Sequence, residues 1–466
     1  TMAERDTLRL IARRTWRYFE TFVTEANHFL PPDNFQEIPR PVEATRTSPT
    51  NIGLYLLSVT AAHDMGWIGQ AEAVTRLEQT LATMARMARF RGHLANWYDT
   101  SDLRVLEPAY VSTVDSGNLA GHLIAVARAC KEWELQPLKP DLNGLKDARS
   151  LAVQALQDNP DMQLLNILTR VAEQPALAEL AASLAIQHAG AKSDLAFWVG
   201  AVAASHASQL AEPASLARLR AVADLARRLA IEMEFGFLMQ PEKKLLSIGF
   251  SVATNTLDAS CYDLLASEAR LASLFAIAKG DVETRHWFRL GRGATPVGAG
   301  SALISWSGSM FEYLMPSLVM RAPAGSVLEE TDRRVVAQQQ GYAATLGVPW
   351  GISESAYNAR DLEMTYQYSN FGVPGLGLKR GLSENRVIAP YATGLAAMAD
   401  PQAALRNYAT LADMGAQGRF GFYEAVDFTA SRLPAGADHV IIRSFMAHHQ
   451  GMTITAIANV LQDGAL

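Results

Sequence analysis

Residues 389–414 read "APYATGLAAMADPQAALRNYATLADM" and show the pattern that decides the fold. Apolar residues recur every three or four positions over 389–399 and again over 401–414, which is the spacing of one face of an α-helix. Asp400 and Pro401 stand between the two stretches, in the order in which an N-cap residue and a first-turn proline begin a helix. The segment therefore predicts two consecutive helices joined by a short turn.

The same spacing recurs along most of the 466 residues. It predicts further helices over 5–24, 50–65, 69–90, 117–134, 194–211, 214–234, 258–279, 310–321, 330–346 and 441–462. Alternation typical of strands is confined to 244–252 and 421–428. A helical solenoid would show a repeat of 20 to 50 residues, and we find no such repeat. We therefore expect an all-α toroid of paired helices with minor β-hairpins in its loops.

Composition excludes several classes of protein. Apolar residues make up 49% and charged residues 19% of the chain, as in a globular protein with a large core. A net charge of −6 without a Lys/Arg run argues against nucleic acid as a partner. No uncharged apolar run is long enough to predict a membrane span. The 2 cysteines are too few for a disulfide framework and fit a reducing compartment.

Two kinds of segment separate the predicted helices. Residues 135–192 are rich in Ala, Leu and Gln and poor in Gly and aromatic residues, so we expect a small helical insertion without catalytic groups. The segments rich in Gly and aromatic residues instead suit binding, because loops on a rigid scaffold carry functional groups. They are 27–49, 91–116, 235–257, 291–309, 347–387 and 416–440.

Aromatic residues in these loops predict a carbohydrate cleft. Trp97, Trp306, Trp350, Tyr368 and Tyr423 lie beside Asn, Asp, Ser and Arg residues and outside any helical stripe. Aromatic faces with polar rims suit sugar rings, whose C–H faces stack while their hydroxyls need hydrogen-bond partners.

Glycoside chemistry requires two carboxyl groups, one protonated and one ionised. Glu354 in "WGISES" and Glu424 in "GFYEA" lie in loops rich in Gly and aromatic residues, where partial burial raises a pKa. The other candidates are Asp115, Asp258, Glu268 and Glu312. Residue types alone select no pair among them.

The sequence predicts neither a metal nor another cofactor. His448 and His449 are adjacent, so on a helix they point about 100° apart and cannot share one ion. No H-E-x-x-H pattern is present. The glycines at 372, 375 and 377 do not form a phosphate-binding pattern. A histidine on this helix is expected to hydrogen-bond a sugar or a carboxylate.

Five stretches resemble one known family: 29–68, 96–125, "SWSGSMFEYLMPSLVM" (305–320), 349–382 with "WGISES", and 418–452 with "FGFYEA" and "FMAHHQGM". They are similar to the middle, glycoamylase-like domain of bacterial cyclic β-1,2-glucan synthases, and the resemblance covers nearly the whole chain. It implies a single (α/α)6-barrel catalytic domain over 1–466 that is part of a longer protein. It also implies a glycosyltransferase and a phosphorylase-like domain as neighbours, at the cytoplasmic side of a bacterial inner membrane.

The resemblance also implies an activity and residue roles. The activity is retaining transglycosylation that closes linear β-1,2-glucan into a ring. Glu354 would be the general acid/base and Glu424 the nucleophile, with Glu312 in reserve. The implied substrate-binding residues are Trp97, Asp115, Asn118, Trp306, Glu312, Trp350, Tyr357, Arg360, Asp361, Tyr366, Gln367, Tyr368, Asn370, Tyr423 and His449. Two alternatives stay open, an inverting endo-β-1,2-glucanase and a non-catalytic glucan-binding module.

Overall fold

Helices make up most of the regular structure. The computed structural model describes residues 1–136, 140–157, 160–171, 174, 177–464 and 466. Its α-helices are α1 (Met2–Phe22), α2 (Pro49–Asp64), α3 (Gln70–Arg86), α4 (Thr113–Leu135), α5 (Asn143–Leu156), α6 (Met162–Val171), α7 (Leu177–Ala189), α8 (Asp194–Leu210), α9 (Leu216–Ile231), α10 (Arg270–Lys279), α11 (Arg285–Arg289), α12 (Met310–Leu314), α13 (Val327–Leu346), α14 (Pro390–Ala396), α15 (Pro401–Asp413) and α16 (Ala447–Leu461).

The strands are short and lie between the helices in sheets of two or three strands. They are β1 (Asn34–Gln36), β2 (Val42–Glu43), β3 (Arg46–Thr47), β4 (Arg89–Phe90), β5 (His93–Leu94), β6 (Tyr98–Asp99), β7 (Tyr110–Ser112), β8 (Met239–Gln240), β9 (Leu245–Leu246), β10 (Gly249–Ser251), β11 (Thr256–Leu257), β12 (Ala294–Val297), β13 (Gly300–Leu303), β14 (Ser355–Arg360), β15 (Tyr366–Ser369), β16 (Val387–Ile388), β17 (Gln417–Gly418), β18 (Gly421–Phe422), β19 (Ala425–Asp427), β20 (Val440–Ile442) and β21 (Ser444–Met446). The strands predicted within 244–252 and 421–428 are confirmed.

Several predicted helices are shorter than their apolar patterns suggested, and the one over 310–321 is α-helical only to Leu314, after which Met315–Leu318 form a 3-10 helix. Residues 258–269 are not helical, because α10 begins only at Arg270, and residues 441–446 are not helical, because α16 begins only at Ala447. The predictions over 258–279 and 441–462 are wrong for these residues. Residues 440–446 instead form β20 and β21, which pair with β19 and β1. Pairing with distant strands therefore overrides the local helical spacing there. The predicted start at Asp400 is confirmed, because its side chain accepts a hydrogen bond from the backbone N–H of Ala403 at 3.0 Å.

One set of helices packs side by side in the interior. α2 packs against α4 and α16, α4 against α10, and α14 against α12 and α16. A second helix packs against most of these: α1 against α16, α3 against α2, α9 against α4, α13 against α12 and α15 against α14. α2 and α16 are buried along almost their whole length, as expected for helices that are apolar on all faces.

A second hydrophobic cluster lies apart from the main core. It is formed by residues between Leu145 and Val202 on α5 to α8. These helices contact the rest of the chain mainly through α1 and α3. The predicted insertion, 135–192, covers α5 to α7, and its residues 137–139, 158–159, 172–173 and 175–176 lie outside the described residues.

Asp147 joins α5 to the main body through two buried partners. Its carboxylate accepts hydrogen bonds from Arg9 Nη2 at 2.7 Å and from Trp67 Nε1 at 2.8 Å. We expect Asp147→Ala to lower the free energy of unfolding by about 3 kcal/mol, because it leaves a cation and an indole N–H without their acceptor. Chemical denaturation measures this loss. Glu132→Ala, which removes an exposed ion pair with Arg128, is the control and should cost at most about 0.5 kcal/mol; equal losses would contradict the prediction.

Candidate active site

A cavity of about 380 Å³ brings together side chains that are distant in sequence. Five of the predicted site residues line it: Trp97, Asp115, Asn118, Glu354 and Tyr368. Glu268, considered in the sequence but given no role, also lines it. The lining residues that sequence reasoning missed are Asp33, Arg46, Ser48, Thr50, Ser112, Val114, Tyr262, Phe311, Met446 and His448.

Glu354 is the half-buried carboxyl group just before β14. Its Oε1 accepts a hydrogen bond from the Tyr368 hydroxyl at 2.7 Å, and its Oε2 accepts one from Asn370 Nδ2 at 3.3 Å. Burial raises the pKa of Glu354 to about 7, while the bond from Tyr368 opposes that rise because it stabilises the ionised form. Glu354 therefore has both a perturbed pKa and donors that favour its carboxylate.

Glu268 is the other glutamate of the cavity lining, which also contains Asp33 and Asp115. Burial, together with the negative charges of Glu312 and Glu354, raises its pKa to about 8. Its side chain receives one long hydrogen bond, from the Ser267 hydroxyl at 3.4 Å. At neutral pH, Glu268 is therefore the carboxyl group of this pair that holds a proton more firmly.

Glu424 lies behind the cavity wall and not in it. Its side chain is 3% exposed, and its carboxyl oxygens lie 2.8 and 2.9 Å from Nδ1 of His449. The structure therefore brings neither Glu424 nor His449, which is 1% exposed, into the lining of the cavity.

Another part of the cavity lining is polar and aromatic. The Thr50 hydroxyl donates to Asp115 Oδ1 at 2.6 Å, and Asn118 Nδ2 donates to the Thr50 hydroxyl at 3.1 Å. Asn118 Oδ1 is buried and has no hydrogen-bond partner among the described residues. The Arg46 guanidinium lies over the Trp97 ring, with 5.1 Å between Cζ of Arg46 and the centre of the ring. This part of the lining offers both ring-stacking and hydrogen-bonding groups.

Glu312 has a structural environment. Its carboxyl oxygens accept from the backbone N–H of Ser307 at 3.1 and 3.0 Å and from that of Ser309 at 3.4 Å, as part of the capping box that begins α12. Its side chain is 4% exposed. The structure therefore places the Glu312 carboxyl group outside the cavity lining and not at the predicted substrate contact. Its charge still raises the pKa of Glu268.

Other predicted residues lie around the cavity and not in its lining. Arg360 donates to the Tyr366 hydroxyl at 2.8 Å, and Tyr423 donates to Glu37 at 2.7 Å. Trp306 is 59% exposed. The remaining members of this group support loops or neighbouring side chains: Trp350 is held by Asn407, Tyr357 packs on Phe371, Asp361 closes a turn to Thr365, Gln367 lies in β15, and Asn370 contacts Glu354.

Comparison with known proteins identifies relatives of this chain. The family model Glycoamylase, whose description is a glucoamylase, matches residues 260–466, and a model of a family of unknown function, DUF3131, matches residues 10–121. The cyclic β-(1,2)-glucan synthase NdvB of Rhizobium meliloti (strain 1021) is 51% identical over 504 aligned residues, which include 99% of this chain. The chain is homologous to a glycoamylase-like segment of the cyclic β-1,2-glucan synthases. It spans 18% of the length of that synthase.

Solved structures share the fold of this chain at low sequence identity. An endo-β-1,2-glucanase from Chitinophaga pinensis, solved with sophorotriose and glucose, has a TM-score of 0.65 at 12% identity and covers 99% of this chain and 94% of its own. An endo-β-1,2-glucanase mutant from Talaromyces funiculosus, solved with β-1,2-glucan, has a TM-score of 0.66 at 11% identity and covers 99% and 85%. Among the described residues, no helix is both long and apolar enough to span a membrane.

Proposed function

We propose that this chain is a retaining transglycosylase that closes linear β-1,2-glucan into a ring. The observation that carries the proposal is the pair Glu268 and Glu354, two carboxyl groups with raised pKa values in one cavity that also contains Trp97 and Tyr368. The relative NdvB is named for a cyclic β-1,2-glucan, and similarly folded enzymes were solved with β-1,2-linked sugars. These likenesses support the substrate class.

The proposed architecture is an (α/α)6 barrel that forms one domain over 1–466. The interior helices α2, α4, α10, α12, α14 and α16 would be the inner ring, and α1, α3, α9, α11, α13 and α15 the outer ring. The helix contacts and the likeness to the glucanase folds support this arrangement. Residues 135–192 would be a helical insertion on its outside, which the separate hydrophobic cluster of α5 to α8 supports.

Retention follows from the linkages of the proposed substrate and product. Both the linear chain and the ring contain β-1,2 bonds, so the reacting anomeric carbon begins and ends in the β configuration. Two successive inversions through a covalent glycosyl-enzyme give that result, whereas a single displacement does not. The mechanism therefore needs one carboxylate as nucleophile and one carboxylic acid as general acid/base.

The surroundings of the two carboxyl groups assign these roles. Glu354 accepts hydrogen bonds from Tyr368 and Asn370, which favour its ionised form, so we assign it as the nucleophile. Glu268 has the higher pKa, about 8, so we assign it as the general acid/base. The proposal replaces the roles that the resemblance implied, because Glu424 is enclosed by the protein.

The reaction proceeds in two balanced steps. In the first, a Glu354 oxygen bonds to the anomeric carbon, the bond to the leaving O2 breaks, and Glu268 gives its proton to that oxygen. In the second, the 2-hydroxyl at the chain's own non-reducing end attacks the anomeric carbon, Glu268 takes its proton, and Glu354 leaves. Groups that hold this acceptor sugar favour it over water, and Trp97, Asp115 and Asn118 in the cavity lining are suited to that task.

The products of the unaltered protein test the proposal. We expect incubation with linear β-1,2-glucan to give products lighter by one water than linear glucans of equal length, as measured by mass spectrometry. Linear β-1,3-glucan is the control substrate and should remain unchanged. Shorter linear products alone would instead indicate an endo-β-1,2-glucanase, and an unchanged β-1,2-glucan would indicate a glucan-binding module.

The setting of this activity is also a proposal. We infer that the chain works beside a glycosyltransferase and a phosphorylase-like domain in a larger membrane protein, on the cytoplasmic side of a bacterial inner membrane. The much greater length of NdvB supports the presence of other domains.

A further inference from the structure

A continuous set of hydrogen bonds leads from Glu354 at the cavity to Glu424 in the interior. Tyr368 gives its hydroxyl hydrogen to Glu354 Oε1 over 2.7 Å, and its oxygen lies 3.4 Å from Nε2 of His449. On the far side of the imidazole, Nδ1 lies 2.8 and 2.9 Å from the two carboxyl oxygens of Glu424. The buried carboxyl group is thus connected to the cavity through two side chains.

The direction of these bonds follows from the number of hydrogens available. A phenol has one hydrogen, and Tyr368 gives it to Glu354, so His449 must donate Nε2–H to the Tyr368 oxygen. A neutral imidazole that carries its hydrogen on Nε2 accepts at Nδ1 from a protonated Glu424, whereas an imidazolium would donate from both nitrogens, to Tyr368 and to an ionised Glu424. The backbone N–H of Ala356 donates to Glu424 Oε1 at 3.2 Å, which leaves the carboxyl hydrogen of a protonated Glu424 on Oε2.

The surroundings favour the neutral distribution of protons. Burial raises the pKa of Glu424 well above its ordinary value and lowers the pKa of His449 well below its own, so burial favours the pair of neutral groups over the ion pair. The Tyr391 ring stacks on the imidazole with 3.6 Å between ring centres and fixes its plane. The Tyr391 hydroxyl also donates to the backbone oxygen of Glu354 at 2.8 Å.

We propose that Glu424 is a positioning residue for Glu354, acting through His449 and Tyr368 to keep the Glu354 carboxylate ionised and oriented for attack. The inference rests on the proposed function, in which Glu354 is the nucleophile. Without a donor facing Nδ1, His449 can carry its hydrogen on Nδ1 and accept at Nε2. The Tyr368 hydroxyl can then turn from Glu354 to His449, and the Glu354 carboxylate loses a hydrogen bond.

Other groups also act on Glu354 and stay in place in the variants used below. Besides Tyr368 and Glu424, which are the substituted positions, the titratable and charged groups that face it or act on it are Tyr262, Glu268, Glu312, Lys379 and Tyr391. Asp33 acts on Glu424 and His448. A change in the pKa of Glu354 is therefore attributed to the hydrogen bonds through Tyr368 and His449 only when variants at Tyr368 and at Glu424 cause the same change.

The pH dependence of kcat/KM for linear β-1,2-glucan tests the proposal. Glu354 must be ionised, so activity rises as the pH rises through about 7. Tyr368→Phe removes the donor, and we expect this acid limb to move upward by about one pH unit. Glu424→Met removes the far donor at similar volume and should move the limb in the same direction, with kcat/KM lowered about tenfold.

Glu424→Gln is the conservative variant. Its carbonyl oxygen can take the place of Oε1 at the Ala356 N–H, and its amide can donate to Nδ1, so we expect the acid limb to stay within about 0.3 pH units of the unaltered protein. The double variant Tyr368→Phe with Glu424→Met should shift no further than Tyr368→Phe alone, because both remove the same bond. Tyr342→Phe on α13 is the control and should leave the profile unchanged.

The results separate this inference from the proposed function. An unshifted acid limb in Tyr368→Phe overturns the inference, as does a loss of activity in Glu424→Met without a shift. If Glu424→Met does not fold, Tyr368→Phe and Glu424→Gln still decide, since Tyr368 lies at the cavity surface with 38% exposure. Failure of the proposed function appears instead in the product masses of the unaltered protein.

Discussion

Glu354→Gln is expected to lower the turnover of linear β-1,2-glucan by at least about 1,000-fold, the scale of loss found when a residue central to catalysis is removed. The amide is nearly the same size as the carboxylate and keeps an acceptor for Tyr368, and its nitrogen can donate to the Asn370 oxygen once that side-chain amide flips, but it cannot form the glycosyl-enzyme. Substrate binding should therefore change little. Initial rates and glucan affinity, measured on the same preparation, separate the two effects.

Azide identifies the nucleophile by the stereochemistry of its product. In Glu354→Ala, azide can enter the space left by the carboxylate and attack the anomeric carbon once, so we expect an α-glucosyl azide. Glu424→Ala is the matched variant and should give no azide product, since Glu424 is enclosed at 3% exposure. An α-azide from Glu424→Ala, with none from Glu354→Ala, would restore the roles that the resemblance implied.

Glu268→Gln is expected to slow the reaction on linear glucan by about 1,000-fold, because the leaving sugar oxygen then departs without a proton. The loss should depend on the leaving group. A nitrophenyl β-1,2-gluco-oligosaccharide releases a stable phenolate and needs little acid assistance, so formation of its glycosyl-enzyme should be nearly normal. Rates for the two substrates, compared in the same variant, measure this difference.

The same variant carries a pH test. An acid with a pKa of about 8 must be protonated, so the activity of the unaltered protein should fall as the pH rises through that value. Glu268→Gln should have no such alkaline limb with the nitrophenyl substrate. Equal losses of rate on both substrates, with the alkaline fall in activity still present, would show that Glu268 is not the general acid.

Local sequence pattern predicted most of the helices, because they are long and their apolar spacing is regular. It failed over 258–269 and 441–446, where the chain pairs with residues far away in sequence and not with its own next turn. Such pairing is visible only once the helices are packed. The cap at Asp400 was predictable because it depends on residues within one turn.

The site was only partly predictable for a related reason. Sequence reasoning found Glu354 and Tyr368 because they stand in an aromatic loop that no secondary-structure pattern explains. It named Glu268 only as one of six candidate carboxyl groups, because residue types alone selected no pair among them. Glu424 stands in an equally unusual loop, but its side chain turns to His449. Loop composition therefore located the neighbourhood, and only the fold showed which carboxyl groups face the cavity.

The volume of the cavity has a consequence for ring size. About 380 Å³ is the scale of a pocket for one small ligand, so most of a glucan long enough to close on itself must remain in water during the reaction. The frequency with which its free end returns to Glu354 then follows the statistics of a tethered polymer, in which effective concentration falls with the length of the tether. Under the proposed function, the protein supplies the chemistry, and the stiffness of the sugar chain sets the distribution of ring sizes.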